Sequence, residues 1–260
     1  MIDWRDENGE IEEQLKLQVE MQFKNHHSFL INHGLQDCKT VLEIGVGDGT
    51  FLRELATAHH DISFTGIDNN PSMVDNASSK CTINMKCAIG DARRPKSIEN
   101  ITAFDAIIMR YILLHADDKS DIINTLSQAM KPGAKLWIID LDLESFTSVP
   151  PSLEFDWIVD QVRAYCESHG PRSNIGSACV QMLASAGFTS INKVIEPLNN
   201  RETKLDTLSK FIISEVKFYR SALSKNTNLE DITRINDFLA KLNRDDIFIR
   251  YGVSMISAVK

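Results

Sequence analysis

Apolar residues along this chain form two kinds of pattern that follow one another. Short, mostly apolar runs, which are typical of buried strands, begin near residues 41, 63, 85, 104 and 135. Stretches with the spacing of one helix face precede the first run, over residues 10–33, and separate the later runs. Strands that alternate with helices in this way predict an α/β fold built on a parallel sheet.

The pattern becomes mainly helical after residue 142. Pro150 and Pro151 interrupt the apolar spacing, and Gly187 has the position of a glycine that ends a helix. The pattern predicts helices over residues 153–168, 173–186, 204–224 and 229–243, and strands over 189–197 and 248–259.

The first apolar run ends in three glycines at alternate positions, Gly45, Gly47 and Gly49. A helical pattern starts at Phe51, so the backbone must turn sharply between a strand and a helix. Glycines allow that turn and let a ligand approach the backbone, while the helix start offers unpaired N–H groups. The nicotinamide fingerprint would need a glycine in place of Thr50, and a phosphate loop would need Gly-Lys-Ser/Thr. A nucleoside ligand therefore fits this loop better than a pyrophosphate.

The second apolar run ends in an acid, Asp68. Asp68 lies about twenty residues beyond the glycines, where doubly wound folds place a carboxylate that binds ribose hydroxyls. A carboxylate suits this role because it accepts two hydrogen bonds from a vicinal diol. The alternative role is a helix cap, because Asn70 and Pro71 begin a helical pattern directly afterwards.

Four landmarks, in chain order, resemble the class I S-adenosylmethionine-dependent methyltransferases. They are the glycine segment preceded by Glu43, the sequence Gly-Ile-Asp-Asn-Asn-Pro-Ser-Met from Gly66, the Gly-Asp-Ala from Gly90, and the run over 104–115 that leads to Lys-Pro-Gly-Ala-Lys-Leu-Trp-Ile-Ile-Asp. The resemblance covers about residues 36–142. It implies a Rossmann-like, seven-stranded, mostly parallel sheet with an antiparallel last strand and helical cap insertions. It also implies S-adenosyl-L-methionine as cofactor and S-adenosyl-L-homocysteine as product.

The resemblance further implies which residues contact the cofactor. Asp91 would accept a hydrogen bond from the exocyclic amine of adenine, and the backbone N–H of Ala92 would donate to the ring. Arg110, at the end of the fourth run, is placed in the same set, with a substrate carboxylate or a local acid as its alternative partner. The predicted cofactor residues are Glu43, Gly45, Gly47, Gly49, Asp68, Asn69, Asp91, Ala92 and Arg110.

The residues for catalysis and acceptor binding are harder to predict from the sequence than those for the cofactor. A sulfonium methyl donor is already activated, so a general base is needed only where the nucleophile must lose a proton. His115 is the candidate base because it follows the fourth run, although a solvated or capping histidine is the alternative. The candidate acceptor-binding residues are Tyr111, His115, Tyr165 and Asn174.

Composition and charge narrow the function classes. The 260 residues are 43% hydrophobic and 25% charged, as in ordinary globular proteins. A formal net charge of −8 without a dense basic cluster disfavours a nucleic-acid partner. No apolar run approaches the roughly eighteen residues of a membrane span.

Five cysteines without a Cys-x-x-Cys pair, and a polar N-terminus, predict free thiols in a cytoplasmic protein. Adjacent histidines at 26–27 and 59–60 face different ways on a helix, so no metal site is predicted.

We expect a single domain over residues 1–260, with helical additions around the core of residues 36–142. The additions are an N-terminal helical cap over 1–35 and helical insertions over 143–187 and 200–245. These segments are too long to be simple connections, and helices above the sheet would exclude water and select a small, partly apolar acceptor. The expected partner is therefore a small molecule, and a homodimer is left open.

Methyl transfer from S-adenosylmethionine to a small-molecule acceptor is the leading prediction. The sequence does not specify whether oxygen, nitrogen or carbon receives the methyl group. A protein that uses the same cofactor for sensing or for non-methyl chemistry would carry the same motifs. An NAD-type oxidoreductase would share the sheet topology, but the missing third glycine of its fingerprint speaks against it.

Overall fold

Strands and helices alternate as the sequence predicts. The computed structural model describes residues 10–95, 98–169, 175–223 and 227–260. The helices are α1 (Glu10–Asn32), α2 (Thr50–Ala58), α3 (Pro71–Ser79), α4 (Lys119–Ala129), α5 (Leu153–Ser168), α6 (Ile175–Ser185), α7 (Leu205–Ala222) and α8 (Leu229–Asn243). The strands are β1 (Thr40–Ile44), β2 (Ser63–Asp68), β3 (Met85–Ile89), β4 (Ala106–Arg110), β5 (Lys135–Leu141), β6 (Thr147–Val149), β7 (Thr189–Asn199) and β8 (Phe248–Val259).

One mixed sheet contains these strands in the order β3-β2-β1-β4-β5-β8, with β7 on the other side of β8. Neighbours from β3 to β5 are parallel, whereas β8 runs antiparallel to both β5 and β7. The predicted mostly parallel sheet with an antiparallel last strand is therefore confirmed. The short strand β6 adds an eighth, because β8 extends past the end of β5 and pairs with it there.

The strand order reverses between β1 and β4. The chain passes outward from β1 to β2 and β3, and then returns to place β4 on the other side of β1. In open α/β sheets, ligands bind outside the carboxyl ends of the strands at such a switch point. The fold therefore directs attention to the residues that follow β1, β2 and β4.

Two apolar cores stabilise the molecule. The larger one lies against the sheet and includes the fully buried side chains of Phe64 and Trp137. The smaller one joins α5, α7 and α8 to β7 and β8, with Phe155, Leu208 and Phe238 at its centre. Burial of each such side chain contributes about 1.5–3 kcal/mol. Helices α5, α7 and α8 thus share a second core, whereas α6 and the C-terminal part of α5 pack into the larger one.

The predicted additions lie in different places around the sheet. Helix α6 contacts α4, β5, β7 and β8, while α5 contacts α7 and α8, and α1 contacts α2 and α7. Residues 1–9 of the predicted N-terminal cap lie outside the described residues. The division into a core and helical insertions stays a prediction. Among the described residues, no helix combines the length and the apolar character needed to cross a membrane.

Candidate active site

The loop after β1 makes the sharp turn that its glycines predict. The backbone N–H groups of Gly45 and Val46 both donate to the carbonyl oxygen of Ile67, at 2.7 and 2.9 Å. Gly45 and Gly47 have φ angles of 75° and 55°, a region that side chains with a Cβ rarely adopt. A Cβ on Gly45 would also collide with the side chain of Ile112. The loop is thus joined to the end of β2 and packed under the residues after β4.

Asp68 stabilises this loop from the end of β2. Its Oδ2 accepts a hydrogen bond from the N–H of Gly47 at 3.0 Å, and its Oδ1 accepts one from Asn70 at 2.9 Å. Asn70, and not Asp68, caps α3, because its side chain accepts from the N–H of Ser72. Each carboxylate oxygen has a second lone pair, so Asp68 is able to accept ligand hydroxyls as well.

Glu43 and Arg110 form a buried pair at the ends of the neighbouring strands β1 and β4. Arg110 Nε lies 3.9 Å from Glu43 Oε1, and the side chains are only 8% and 1% exposed. Glu43 Oε2 and Arg110 Nε and Nη1 make no hydrogen bond within the described part of the chain. Burial raises the pKa of Glu43 to about 8, although the charge of Arg110 opposes this. Buried polar atoms normally have partners, so this pair is suited to a ligand that carries both an ammonium and a carboxylate group.

The remaining predicted cofactor residues lie on the same edge of the sheet. The N–H of Gly90 donates to the carbonyl oxygen of Asp68 at 2.9 Å, which joins the end of β3 to the end of β2. Asp91 follows, but its carboxylate is already paired with the exposed guanidinium of Arg93 at 2.8 Å, which lowers the pKa of Asp91. Ala92 is half-buried and Asn69 is exposed. A ligand at Asp91 would therefore share the carboxylate with Arg93 or displace it.

His115 meets Tyr165 beyond the end of β4. His115 belongs to a short 3-10 turn, and the carboxylate of Asp140 accepts from the N–H groups of Leu113 and Leu114 in that turn at 2.9 and 3.3 Å. The Nδ1 of His115 lies 2.6 Å from the hydroxyl oxygen of Tyr165. Burial lowers the pKa of His115 to about 3 and raises the pKa of Tyr165, so both are neutral near pH 7. Such a pair is able to hold a proton at a defined position.

Tyr111 connects the end of β4 to helix α1. Its φ of 54° is unusual for an aromatic residue, and its hydroxyl donates to Gln22 at 2.9 Å. The amide of Gln22 donates in turn to the buried carboxylate of Glu196 on β7, which also lies 3.1 Å from His26 Nε2. An unusual backbone angle persists where surrounding contacts stabilise it, often at functional sites. These contacts place α1 beside the residues that follow β4.

The sequence analysis found only part of this arrangement. It brought forward Glu43, the glycines, Asp68 and Arg110, which the structure places together, and the pair of His115 and Tyr165. It missed Gln22, Asp140, Glu196 and Glu215, all of which are buried. A charged residue inside an apolar strand, as in Trp-Ile-Ile-Asp and Val-Ile-Glu, was the available signal for two of them. Asn174 lies outside the described residues.

The chain is similar to known methyltransferases. Residues 41–133 match the family described as "Methyltransferase domain". Phosphoethanolamine N-methyltransferase 1 of Arabidopsis thaliana is 28% identical over 63% of this chain and 31% of its own length. O-methyltransferase rstn1 of Aspergillus nomiae is 28% identical over 63% of this chain and 68% of its own length. The chain thus spans less than a third of the plant relative.

A solved structure extends the likeness to nearly the whole fold. Phosphoethanolamine N-methyltransferase 2 of Haemonchus contortus, in complex with phosphomonomethylethanolamine and S-adenosylhomocysteine, superposes with a TM-score of 0.60. The superposition covers 98% of this chain and 59% of that one, at 16% sequence identity, and at this identity it shows a shared fold. The family match, which runs from β1 to the turn before β5, shows that residues 41–133 are similar to a methyltransferase domain, and the relatives named above are methyltransferases as well.

Proposed function

We propose that this protein transfers a methyl group from S-adenosylmethionine to a small-molecule acceptor. The observation that carries the proposal is the buried pair of Glu43 and Arg110 beside the glycine loop. The pair has polar atoms that make no hydrogen bond to the described residues. His115, which contacts Tyr165 of α5, lies in the turn after β4, the strand that ends at Arg110. A residue suited to bind the cofactor and a residue suited to exchange a proton thus both lie at or just after the end of β4.

The chemistry of the donor set fits the cofactor. Asp68 and Asn69 would hold the ribose hydroxyls. The unsatisfied N–H groups of Arg110 would bind the carboxylate of the methionyl group, and the unsatisfied Oε2 of Glu43 would bind its ammonium. Asp91 would meet the adenine amine. When bound, the cofactor supplies an electrophilic methyl group. The protein needs mainly to align an acceptor with it and to exclude water.

The acceptor would lie near Tyr111, His115 and Tyr165. A neutral His115 is able to accept a hydrogen bond from an acceptor hydroxyl or ammonium and so to orient the nucleophile, while Tyr165 fixes the orientation of its ring. Helices α1, α5 and α7 supply Gln22, Tyr165 and Phe218, which contact Tyr111 or His115, and this supports a small acceptor rather than a macromolecule. The relatives named above include an N- and an O-methyltransferase, so both nitrogen and oxygen nucleophiles are candidates.

Binding and turnover test the proposal separately. Calorimetry with S-adenosylmethionine, S-adenosylhomocysteine and NAD should give binding of the first two ligands alone. Incubation with S-adenosylmethionine that carries an isotope-labelled methyl group and a metabolite extract should then produce a labelled small molecule. Binding without any labelled product would favour sensing or non-methyl chemistry. Binding of NAD in place of S-adenosylmethionine would favour the oxidoreductase.

A further inference from the structure

Glu215 is a buried acid that the proposed mechanism does not use. It lies on α7, which contacts α1, α5 and α8, and its side chain is almost completely buried. Its Oε2 makes no hydrogen bond to the described residues. A buried carboxyl group without a counter-charge is costly, because it has lost water and the protein does not fully replace it. Either a ligand supplies the missing charge, or the carboxyl group stays protonated and therefore neutral.

The side chains around Glu215 are aromatic and neutral. The hydroxyl of Tyr251 lies close enough to the carboxyl group of Glu215 to lower its pKa as a hydrogen-bond donor, although the two groups do not reach the geometry of a good hydrogen bond. Tyr219, Tyr111 and Cys166 are close enough for the charge of Glu215 to raise their own pKa values. Burial raises the pKa of Glu215 to about 8, and no cationic side chain of the described residues opposes that rise. The described residues therefore supply no counter-charge.

The same aromatic groups connect Glu215 to the candidate active site. The rings of Tyr219 and Tyr165 lie 5.0 Å apart between centroids, and Tyr165 is the partner of His115. Phe218 lies 5.7 Å from the Tyr165 ring and 6.4 Å from that of His115. Tyr111, which follows β4, is within electrostatic reach of Glu215. Glu215 thus lies one helical turn from Tyr219, whose ring contacts the Tyr165 ring at the site where the acceptor is proposed to lie.

We propose that Glu215 recognises a basic nitrogen on the acceptor, so that the preferred substrates are amines or molecules that carry an ammonium group. An ammonium would supply the missing counter-charge and hydrogen bonds, and the faces of Tyr219 and Tyr251 would stabilise it further through cation–π contacts. An anionic acceptor would be repelled at the same position. This inference rests on the proposed function, because it names the substrate class of the same site.

The test compares amines with alcohols of the same carbon skeleton. The protein is saturated with S-adenosylhomocysteine, and binding of phenethylamine, butylamine and their matched alcohols is measured by calorimetry. The amines are expected to bind about ten- to a hundredfold more tightly than the alcohols, as for a charge-assisted hydrogen bond. Glu215→Gln should remove this preference. Asp206→Asn, an exposed acid on the same helix, should keep it.

A second measurement needs no variant and so does not depend on the folding of Glu215→Gln. Amine affinity of the unaltered protein should rise as pH increases from 6 towards 8, by up to about tenfold per pH unit, while alcohol affinity stays constant. Equal binding of amines and alcohols, no amine binding at all, or a preference that survives Glu215→Gln would overturn the inference. The proposed function fails by a different result, namely that S-adenosylhomocysteine itself does not bind.

Discussion

The hydroxyl oxygen of Tyr165 lies 2.6 Å from Nδ1 of His115, and this contact joins helix α5 to the turn after β4. The two residues are 50 positions apart in the chain. The turn that carries His115 is itself fixed by the carboxylate of Asp140 at the end of β5. The imidazole is therefore oriented both through its backbone and through its ring nitrogen, as a group that handles a proton needs to be.

Removal of either partner should slow methyl transfer more than it weakens cofactor binding. We expect His115→Gln to lower kcat by about 10²–10⁴-fold, the usual contribution of general acid–base catalysis, and Tyr165→Phe to lower it less. The affinity for S-adenosylhomocysteine, measured by calorimetry, should stay within about twofold in both variants. A His115→Gln variant that turns over normally would show that the histidine only fills space beside Tyr165.

Asp68→Ala should weaken S-adenosylhomocysteine binding by about ten- to a hundredfold. The substitution removes the carboxylate that accepts the N–H of Gly47, together with the acceptor for the ribose hydroxyls. Asn70→Ala is the matched control, because Asn70 caps α3 from two residues away. It should lower the free energy of unfolding by about 1 kcal/mol and leave the affinity nearly unchanged. Equal affinities for the two variants would assign Asp68 a role in loop structure alone.

Gly47→Val should abolish cofactor binding in a protein that still folds. Gly47 has a φ of 55°, and a Cβ there would lie 3.3 Å from the Leu15 side chain of α1. Gly133→Val is a suitable control, since Gly133 has a φ of 81° but nothing within 4 Å of its Cβ position. Both variants should lose roughly 1–2 kcal/mol of stability from backbone strain, and only Gly47→Val should lose affinity. Calorimetry and thermal unfolding of the two proteins separate these effects.

The sequence predicted those parts of the site that are local in the chain. Gly45, Gly47 and Asp68 each belong to a short motif whose backbone needs are visible in neighbouring residues. Glu196 was marked only by its charge within an apolar strand, and Glu215 gave no signal, because their contacts with α1 and with Tyr251 form only after folding. Periodicity indicates which residues are buried in an element, but not which distant side chain meets them.

Cofactor binding should protect α1 from hydrogen exchange. Two residues of α1 lie beside the proposed cofactor site. Leu15 lies near Gly47 of the glycine loop, and Gln22 accepts a hydrogen bond from the hydroxyl of Tyr111. Saturation with S-adenosylhomocysteine should therefore slow amide exchange over residues 10–32, measured by mass spectrometry. Helix α8, which contacts α5 and α7, serves as the internal reference. Protection of α8 alone would show that the ligand binds elsewhere.

Stability should fall as pH rises towards 8. Burial raises the pKa values of Glu43 and Glu215 to about 8, against about 4.5 in the unfolded chain. Between these values the folded protein binds more protons than the unfolded chain, so its free energy of unfolding decreases with pH. His115 acts in the opposite direction, because its pKa is lowered to about 3, but its effect ends near pH 6.5.

The window from pH 6.5 to 8 therefore isolates the buried acids, and Glu215→Gln is the variant to compare there. The variant cannot titrate at this position, so its stability should decline less steeply, by up to about 1.4 kcal/mol per pH unit relative to the unaltered protein. Urea unfolding without ligand at several pH values measures the difference, with Asp206→Asn expected to follow the unaltered protein. Parallel curves for Glu215→Gln and the unaltered protein would mean that Glu215 is already ionised at pH 6.5. A counter-charge within the free protein would then have to exist, and the acceptor would no longer be needed to supply it.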